Sequence, residues 1–343
     1  MTNQTILQTT SLSIGYRQRR RPDRVVAAAL ELSLEAGKLV CLLGPNGVGK
    51  STLMRTLAGM QPALDGRIVL EGERLENLRP QTLARKLSVV LTEQVNAGLM
   101  TAYALVALGR YPYTDWRGIL TEADEAIVRR AIEAVGAVPL ANRPVSELSD
   151  GERQKVMIAR ALAQEPLIML LDEPTAYLDL PRRVEMMQIL RRLAHDGQRA
   201  VLLSTHDLDL ALRNADVIWL MVDGRIQVGA PEDLVLSGAF AEAFAAEGVH
   251  FDPVSGAFQI SRPQRGTVDV IGEGVKALWT VRALERHGYQ VSIGRNGAAV
   301  QVTCNNGQWQ LTHEAGQTTH PTLAALTAAL QKVPAIRTER PNS

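Results

Sequence analysis

The sequence predicts an α/β core, a mostly parallel sheet with helices on both faces, followed by a small α+β domain. Three observations carry this reading. An apolar run at residues 38–44 (KLVCLLG) leads through a glycine-rich loop into a helical pattern at 51–57, a strand–loop–helix unit. Strand-sized apolar runs return at 167–171, 200–204 and 217–222, alternating with helical stretches at 182–195 and 207–214. That alternation belongs to a parallel sheet covered on both faces. A closing helical pattern at 231–248 is followed by Pro253, Gly256 and Pro263, which place a domain boundary near residue 250.

Composition agrees with this size of core. Of 343 residues, 46% are apolar and 21% charged, the proportions of an ordinary globular chain with one large and one smaller domain. Lys and Arg number 37 against 36 Asp and Glu, for a formal charge of +1, so nothing points to nucleic acid or acidic lipid as a partner. The opening MTNQTILQTT has no basic segment followed by an apolar core, so no secretory signal is expected. No apolar run approaches the roughly 18–20 residues that span a bilayer. Cys41 and Cys304 lie far apart and match no metal or redox spacing; they are expected to be reduced core thiols of a cytoplasmic protein.

In chain order, short strand-like runs at 11–14 and 25–34 flank a basic stretch, RQRRRPDR, at 17–24. It reads as a solvated hairpin loop, with contact to phosphate or a partner as the alternative. Residues 97–163 are mostly helical in pattern and form an insertion, with 122–135 clearly amphipathic. Beyond 250 come TVDVIG, a helix over 275–287, QVSIG, AVQVTC, QWQLTH and a helix over 322–332. Trp279 and Trp309 are expected in the core of this domain. His287, His313 and His320 are scattered and form no catalytic constellation, although His313 and His320 leave metal sensing open.

Gly44, Pro45, Asn46, Gly47, Val48, Gly49, Lys50 and Ser51 match G-x-x-x-x-G-K-[ST]. Glycines let the backbone wrap closely, so that successive N–H groups face phosphate oxygens. In this pattern Lys50 reaches the β- and γ-phosphates and Ser51 ligates Mg²⁺. The run 167–171 ends in Asp172-Glu173, which places Asp172 at the metal, normally through a water. Glu173, just beyond the strand, can polarise an attacking water as general base. His206 ends the next strand, on the side where open α/β sheets bind ligands, and can hold both the γ-phosphate and that water. Around residue 150 the chain reads ELSDGERQ, a serine and a glycine at a helix start. Such a start is a second anion reader in a chain that already has one.

The order GPNGVGKS, LSDGE, LLDEPT, AYLD, STHD resembles the nucleotide-binding subunit of ATP-binding cassette (ABC) transporters over residues 5–245. The resemblance implies a P-loop NTPase cassette at 1–249, with a mostly parallel sheet, an antiparallel β subdomain and the helical insertion. Residues 250–343 would be a small accessory domain, regulatory or dimer-stabilising. It implies ATP and Mg²⁺ as cofactors, with Ser51 and Asp172 at the metal and Glu173 and His206 catalytic. Thr52 joins the phosphate loop, and Tyr16 matches the aromatic that stacks on adenine. Ser149, Asp150, Gly151 and Glu152 match the signature that reads the γ-phosphate of ATP held by the other subunit. Asp150 and Glu152 stand where the family's LSGGQ has glycine and glutamine, so their charges must point away or find basic neighbours such as Arg153. Asp179 matches the loop that crosses to the partner. The family's coupling glutamine falls in VVLTEQ, at Glu93 by counting from the strand and at Gln94 by residue type.

The resemblance further implies a homodimer closing over two ATP molecules, bound at the cytoplasmic face of the membrane to separate permease subunits and, through them, a substrate-binding protein. The stretch VALGRYPYTDW at 106–116 resembles the branch that imports ferric siderophores, haem or cobalamin. A ferric siderophore is the expected cargo, with haem or cobalamin import, or an exporter ATPase, as alternatives. A cassette acting in DNA repair or translation is less expected, because the chain has one cassette and no heptad run.

Overall fold

The computed structural model describes residues 4–19, 21–91, 98–115, 117–245, 249–253, 256–260, 265–294, 297–305 and 307–333. It divides into two compact units, Met1–Gln259 and Ile260–Ser343. The first opens with β1 (Thr5–Tyr16), β2 (Arg24–Leu30), β3 (Ser33–Glu35), β4 (Leu39–Leu43), α1 (Lys50–Leu57), β5 (Asp65–Leu70), β6 (Glu73–Arg74), α2 (Pro80–Lys86) and β7 (Leu87–Val90). The helical insertion follows as α3 (Ala102–Ala107), α4 (Glu122–Ala134) and α5 (Asp150–Leu162). The chain then alternates through β8 (Ile168–Leu171), α6 (Leu180–His195), β9 (Ala200–Ser204), α7 (Leu208–Asn214), β10 (Val217–Val222) and β11 (Arg225–Gly229). It closes with α8 (Pro231–Leu236), α9 (Ala239–Ala243) and a hairpin, β12 (Val249–Asp252) with β13 (Ala257–Ile260).

The central sheet runs β11-β10-β4-β9-β8-β7, parallel except for β11 at one edge. Every residue of β4, β8 and β9 is buried, as expected of strands covered on both faces. Alternation sends Leu39, Cys41 and Leu43 into one core and Val40 and Leu42 into the other. Burial pushes the Cys41 thiol well above its ordinary value, with Asp216 adding to the effect. The antiparallel sheet runs β2-β1-β5-β6, with β3 also on β1. The described residues 17–19 and 21–23 of the basic stretch lie between β1 and β2, where the Gln18 N–H donates to Asp23 Oδ1 at 3.2 Å.

Arg110 fastens the insertion to the core. It lies in a 3-10 turn, Leu108–Tyr113, and its side chain is only 5% exposed. Nε donates to Asp124 Oδ1, while Nη1 donates to the Ala163 carbonyl and Glu165 Oε2, each at 2.9 Å. The Tyr113 ring lies 3.9 Å from the guanidinium carbon. Asp124 also closes a capping box with Thr121 at the start of α4. Hydrogen bonds from Thr121, then Arg110, hold its carboxyl below the ordinary aspartate value.

The domain division falls after Gln259, later than the boundary near 250 expected from the sequence. The β12–β13 hairpin packs on the first unit: Phe251 stacks on Phe240 at 5.6 Å and Phe258 meets Phe244 edge-on at 5.5 Å.

The second unit comprises β14 (Thr267–Ile271), α10 (Gly274–Arg286), β15 (Gln290–Ile293), β16 (Val300–Asn305), β17 (Gln308–His313), β18 (Gly316–His320) and α11 (Leu323–Leu330). Its sheet runs β15-β14-β16-β17-β18. Val268, Val270, Leu284, Val302, Leu311 and Leu326 centre its core. Trp309 is half-buried and donates Nε1–H to Thr280 Oγ1 at 2.8 Å. Trp279, however, is not a core residue: it is 54% exposed, with the Arg282 guanidinium 5.1 Å from its ring. His313 pairs with Gly316 and His320 with Trp309, so the two histidines sit at opposite ends of the hairpin, about 13 Å apart. They cannot share an ion, and no cluster of three metal-ligating residues occurs among the described residues. No helix of the described residues is long and apolar enough to cross a membrane.

Arg110→Leu should strand the buried Asp124 carboxylate and destabilise the first unit by about 3 kcal/mol. Thermal melting will read this as a fall of roughly 10 °C. Combining it with Asp124→Leu should recover part of the loss, because the unpaired charge is then gone.

Candidate functional site

The phosphate loop is shaped by two close approaches. A β-carbon on Gly49 would lie 2.2 Å from Val26 Cγ1, and one on Gly44 would lie 2.2 Å from the Met221 carbonyl oxygen. Both residues also have positive φ, 117° and 150°, so only glycine fits at either place. The loop leads straight into α1, whose first residue, Lys50, curls back to donate Nζ–H to the carbonyls of Gly44 (2.8 Å) and Pro45 (3.0 Å). Burial holds the ammonium below its ordinary value, against the opposing pull of Glu173 and Asp172. Asn46, Gly47 and Val48 complete the loop. Tyr16, at the end of β1, hydrogen-bonds Thr52 Oγ1 at 3.0 Å and leaves its ring 45% exposed beside α1. That ring can stack on a base whose phosphates enter the loop.

The carboxyl ends of β8 and β9 meet this loop. Leu171 is the register partner of Leu203, so Asp172 emerges beside Ser204. Ser204 is fully buried and bridges two groups: Oγ–H donates to Asp172 Oδ1 at 2.6 Å, and Oγ accepts the Glu173 N–H at 2.9 Å. Ser51 Oγ reaches the same Asp172 oxygen at 3.4 Å. Glu173 has φ +50°, rare for a residue with a side chain, and its Oε1 lies 2.5 Å from His206 Nε2. These residues form one cluster, with hard oxygen donors of the kind Mg²⁺ takes. They also set a carboxylate and an imidazole side by side, groups able to move a proton. Nothing in the sequence spacing marks Ser204 as a functional residue; the strand register reveals it.

The signature residues form a second cluster at the start of α5. Ser149 caps the helix and shares a capping box with Glu152. Glu152 Oε2 accepts the Ser149 N–H and Oγ–H, both at 2.9 Å, and Oε1 accepts from Arg143 Nη1 at 3.1 Å. These bonds, the Ser149 N–H foremost, hold the Glu152 carboxyl below its ordinary value. Asp150 faces Arg153 at 3.7 Å with its side chain 56% exposed. Asp179 caps α6 by accepting the Arg182 N–H at 3.0 Å. No sequence spacing marks Arg143 and Arg182, because their places depend on tertiary contacts. Glu93 and Gln94, the candidates for the coupling residue, lie outside the described residues.

The chain is 39% identical over 292 residues to an uncharacterized ABC transporter ATP-binding protein of Methanocaldococcus jannaschii, covering 84% of this chain and 99% of the relative. The chain belongs to the ABC transporter ATP-binding family. It is therefore an ATPase with an ABC cassette fold. Residues 27–176 match the ABC transporter family and residues 265–331 match the iron ABC transporter C-terminal domain. This ABC protein is also 36% identical over 297 residues to a cobalamin import ATP-binding protein of Halobacterium salinarum, covering 84% of this chain and 73% of the relative. It is 35% identical over 240 residues to a probable siderophore transport system ATP-binding protein of Bacillus subtilis, covering 70% and 86%. Among solved structures, a dimeric bacterial ABC transporter cassette superposes with a TM-score of 0.57 at 25% identity, covering 66% of this chain and 99% of that one.

Glu152→Ala should cost about 1 kcal/mol of stability at neutral pH through the lost cap. Because the folded carboxyl titrates below its ordinary value, the contribution is present above the unfolded pKa and lost as pH falls through the folded one. Urea unfolding at a series of pH values should show the gap between variant and parent closing on acidification.

Proposed function

We propose that this chain is the ATP-hydrolysing subunit of a bacterial importer of a metal chelate, a ferric siderophore first. The observation that carries the cargo reading is the match of residues 265–331 to the iron ABC transporter C-terminal domain, supported by the siderophore-system relative. Cobalamin is the second reading, favoured by the 36% identical cobalamin import relative. The working unit is a homodimer, for which the dimeric cassette gives the precedent. It acts at the cytoplasmic face of the membrane on a separate permease that receives cargo from a substrate-binding protein. The first unit, Met1–Gln259, is the motor, and the second, Ile260–Ser343, a regulatory or dimer-stabilising accessory region.

In this reading each ATP lies between two chains. One chain supplies the loop from Gly44 to Thr52, with Lys50 on the β- and γ-phosphates and Tyr16 against the adenine. Ser51 and Asp172 would hold Mg²⁺, which would supply positive charge to the phosphates. Glu173 takes the proton of the attacking water, and His206, already beside it at 2.5 Å, holds that water and the γ-phosphate in line. Ser204 keeps Asp172 and the Glu173 backbone together. The other chain supplies Ser149 and the Gly151 N–H at a helix start, where the dipole favours an anion. Asp179 reaches across the interface.

Glu173→Gln should abolish turnover, retain ATP binding and trap a dimer detectable by light scattering; turnover at the parent rate would remove Glu173 as the base. Ser149→Arg should block hydrolysis while the dilute chain binds fluorescent ATP with unchanged affinity. Cells carrying only the Glu173→Gln chain should lose uptake of radiolabelled ferric siderophore. If ferric uptake persists and cobalamin uptake is lost, the second reading takes its place.

A further inference from the structure

Gly151 is helical, with no positive φ to require a glycine. What it makes room for is a side chain. A β-carbon at this position would lie 2.7 Å from Arg182 Cδ, 3.4 Å from Nη1 and 3.5 Å from Nε. The stem of Arg182, from the first turn of α6, therefore lies directly across the signature glycine, with its guanidinium at the start of α5. Lys155, one turn further along α5, pairs with Glu185 of α6 at 2.5 Å, so the two helices are held in this register.

The guanidinium is otherwise uncommitted. Its neighbour Arg183 donates to the Leu178 carbonyl at 2.8 Å and faces Asp207 at 3.5 Å. Arg182 is exposed, and among the described residues its side chain has no carboxylate or carbonyl partner. The charges around it explain why a free cation is useful there. Glu152 is balanced by Arg143 at 3.1 Å and Asp150 by Arg153 at 3.7 Å. Those four side chains sum to zero. An LSDGE helix start without Arg182 would meet a multiply charged phosphate with two carboxylates and no net positive charge.

We propose that Arg182 is a phosphate-recognition residue of the signature half-site, supplying the cation that binds the terminal phosphate of a nucleoside triphosphate held by a second copy of this chain. The inference rests on the two-chain reading above. Guanidinium suits the task because its planar donors match phosphate oxygens and it stays charged at all relevant pH. It also explains how the signature tolerates Asp150: Arg153 of the same helix balances that carboxylate, and Arg182 of the adjacent helix adds the net positive charge a phosphate needs.

The test uses the full chain carrying Glu173→Gln, titrated with ATP and followed by light scattering. Arg182→Met keeps the aliphatic stem over Gly151 and removes the charge. It should raise the ATP concentration for half-maximal dimerisation about tenfold, the size of a lost charged hydrogen bond. Arg182→Lys should stay within about twofold of the parent, and fluorescent ATP should bind the dilute chain equally in all three. A dimerisation curve for Arg182→Met that overlays the parent overturns the proposal, as does an equal loss of affinity in the dilute chain or an Arg182→Lys as weak as Arg182→Met. Ser149→Arg in the same assay separates the two levels. If it still dimerises, the two-chain reading fails; if it does not while Arg182→Met is silent, only the role of Arg182 falls.

Discussion

The nucleotide cluster depends on one strand register. Leu171 of β8 faces Leu203 of β9, and from that pairing Asp172 and Ser204 emerge side by side, with Glu173 and His206 beyond them. Strands this thoroughly buried carry little register information in their apolar pattern, since either face suits a hydrophobic side chain. Polar anchors at the strand ends supply what the pattern lacks. Ser204 ties Asp172 to the Glu173 backbone. At the opposite end of the sheet, Asp216 accepts the Leu39 N–H at 2.7 Å and faces His195 Nε2 at 2.8 Å. The sheet is therefore pinned at both ends by a few hydrogen bonds to charged groups, each stronger than a neutral one.

The signature raises the opposite problem, of too many charges rather than too few polar groups. Its two acidic substitutions resolve differently. Glu152 turns inward and becomes a cap, accepting the Ser149 N–H and hydroxyl while Arg143 holds its other oxygen. It thereby satisfies a backbone donor that a helix start leaves orphaned. The arrangement also engages the Ser149 hydroxyl, so a phosphate approaching from a second chain must compete with a carboxylate for it. Asp150 turns outward and is only loosely countered by Arg153.

The fold was legible where local chemistry and global structure make the same demand. The glycines of the phosphate loop, the apolar run before it and the DE after an apolar strand each declare their setting. So did the alternation that predicts the parallel sheet, and the elements from 267 to 313. Legibility failed where placement is tertiary. Ser204, Arg143 and Arg182 act through side chains that the register of neighbouring elements brings into reach, and no spacing along the chain marks them. β18, GQTTH, is polar and exposed, so it lacks the alternation that betrays a half-buried strand. Trp279 reads as core by residue type, yet it lies on the outward side of α10. The β12–β13 hairpin stays with the first unit because of Phe251 and Phe258, aromatics whose partners on and beside α9 precede them in the chain.

Glu173 is held in a strained conformation. Its φ of +50° costs a side-chain-bearing residue of order 1 kcal/mol, and a glycine there would be easier to fold. The proposed general base requires a carboxylate here, so the strain has to be over-determined by its surroundings. Ser204 Oγ accepts the Glu173 N–H at 2.9 Å and Ala176 N–H donates to the Glu173 carbonyl at 3.0 Å. Both peptide groups flanking the strained angle are thus held. The side chain so placed meets His206, with Oε1 2.5 Å from Nε2. Removing Ser204 would release the backbone first and the carboxylate second. It is therefore a positioning residue for Glu173 as much as for Asp172, and the reason one buried hydroxyl matters to two charged neighbours.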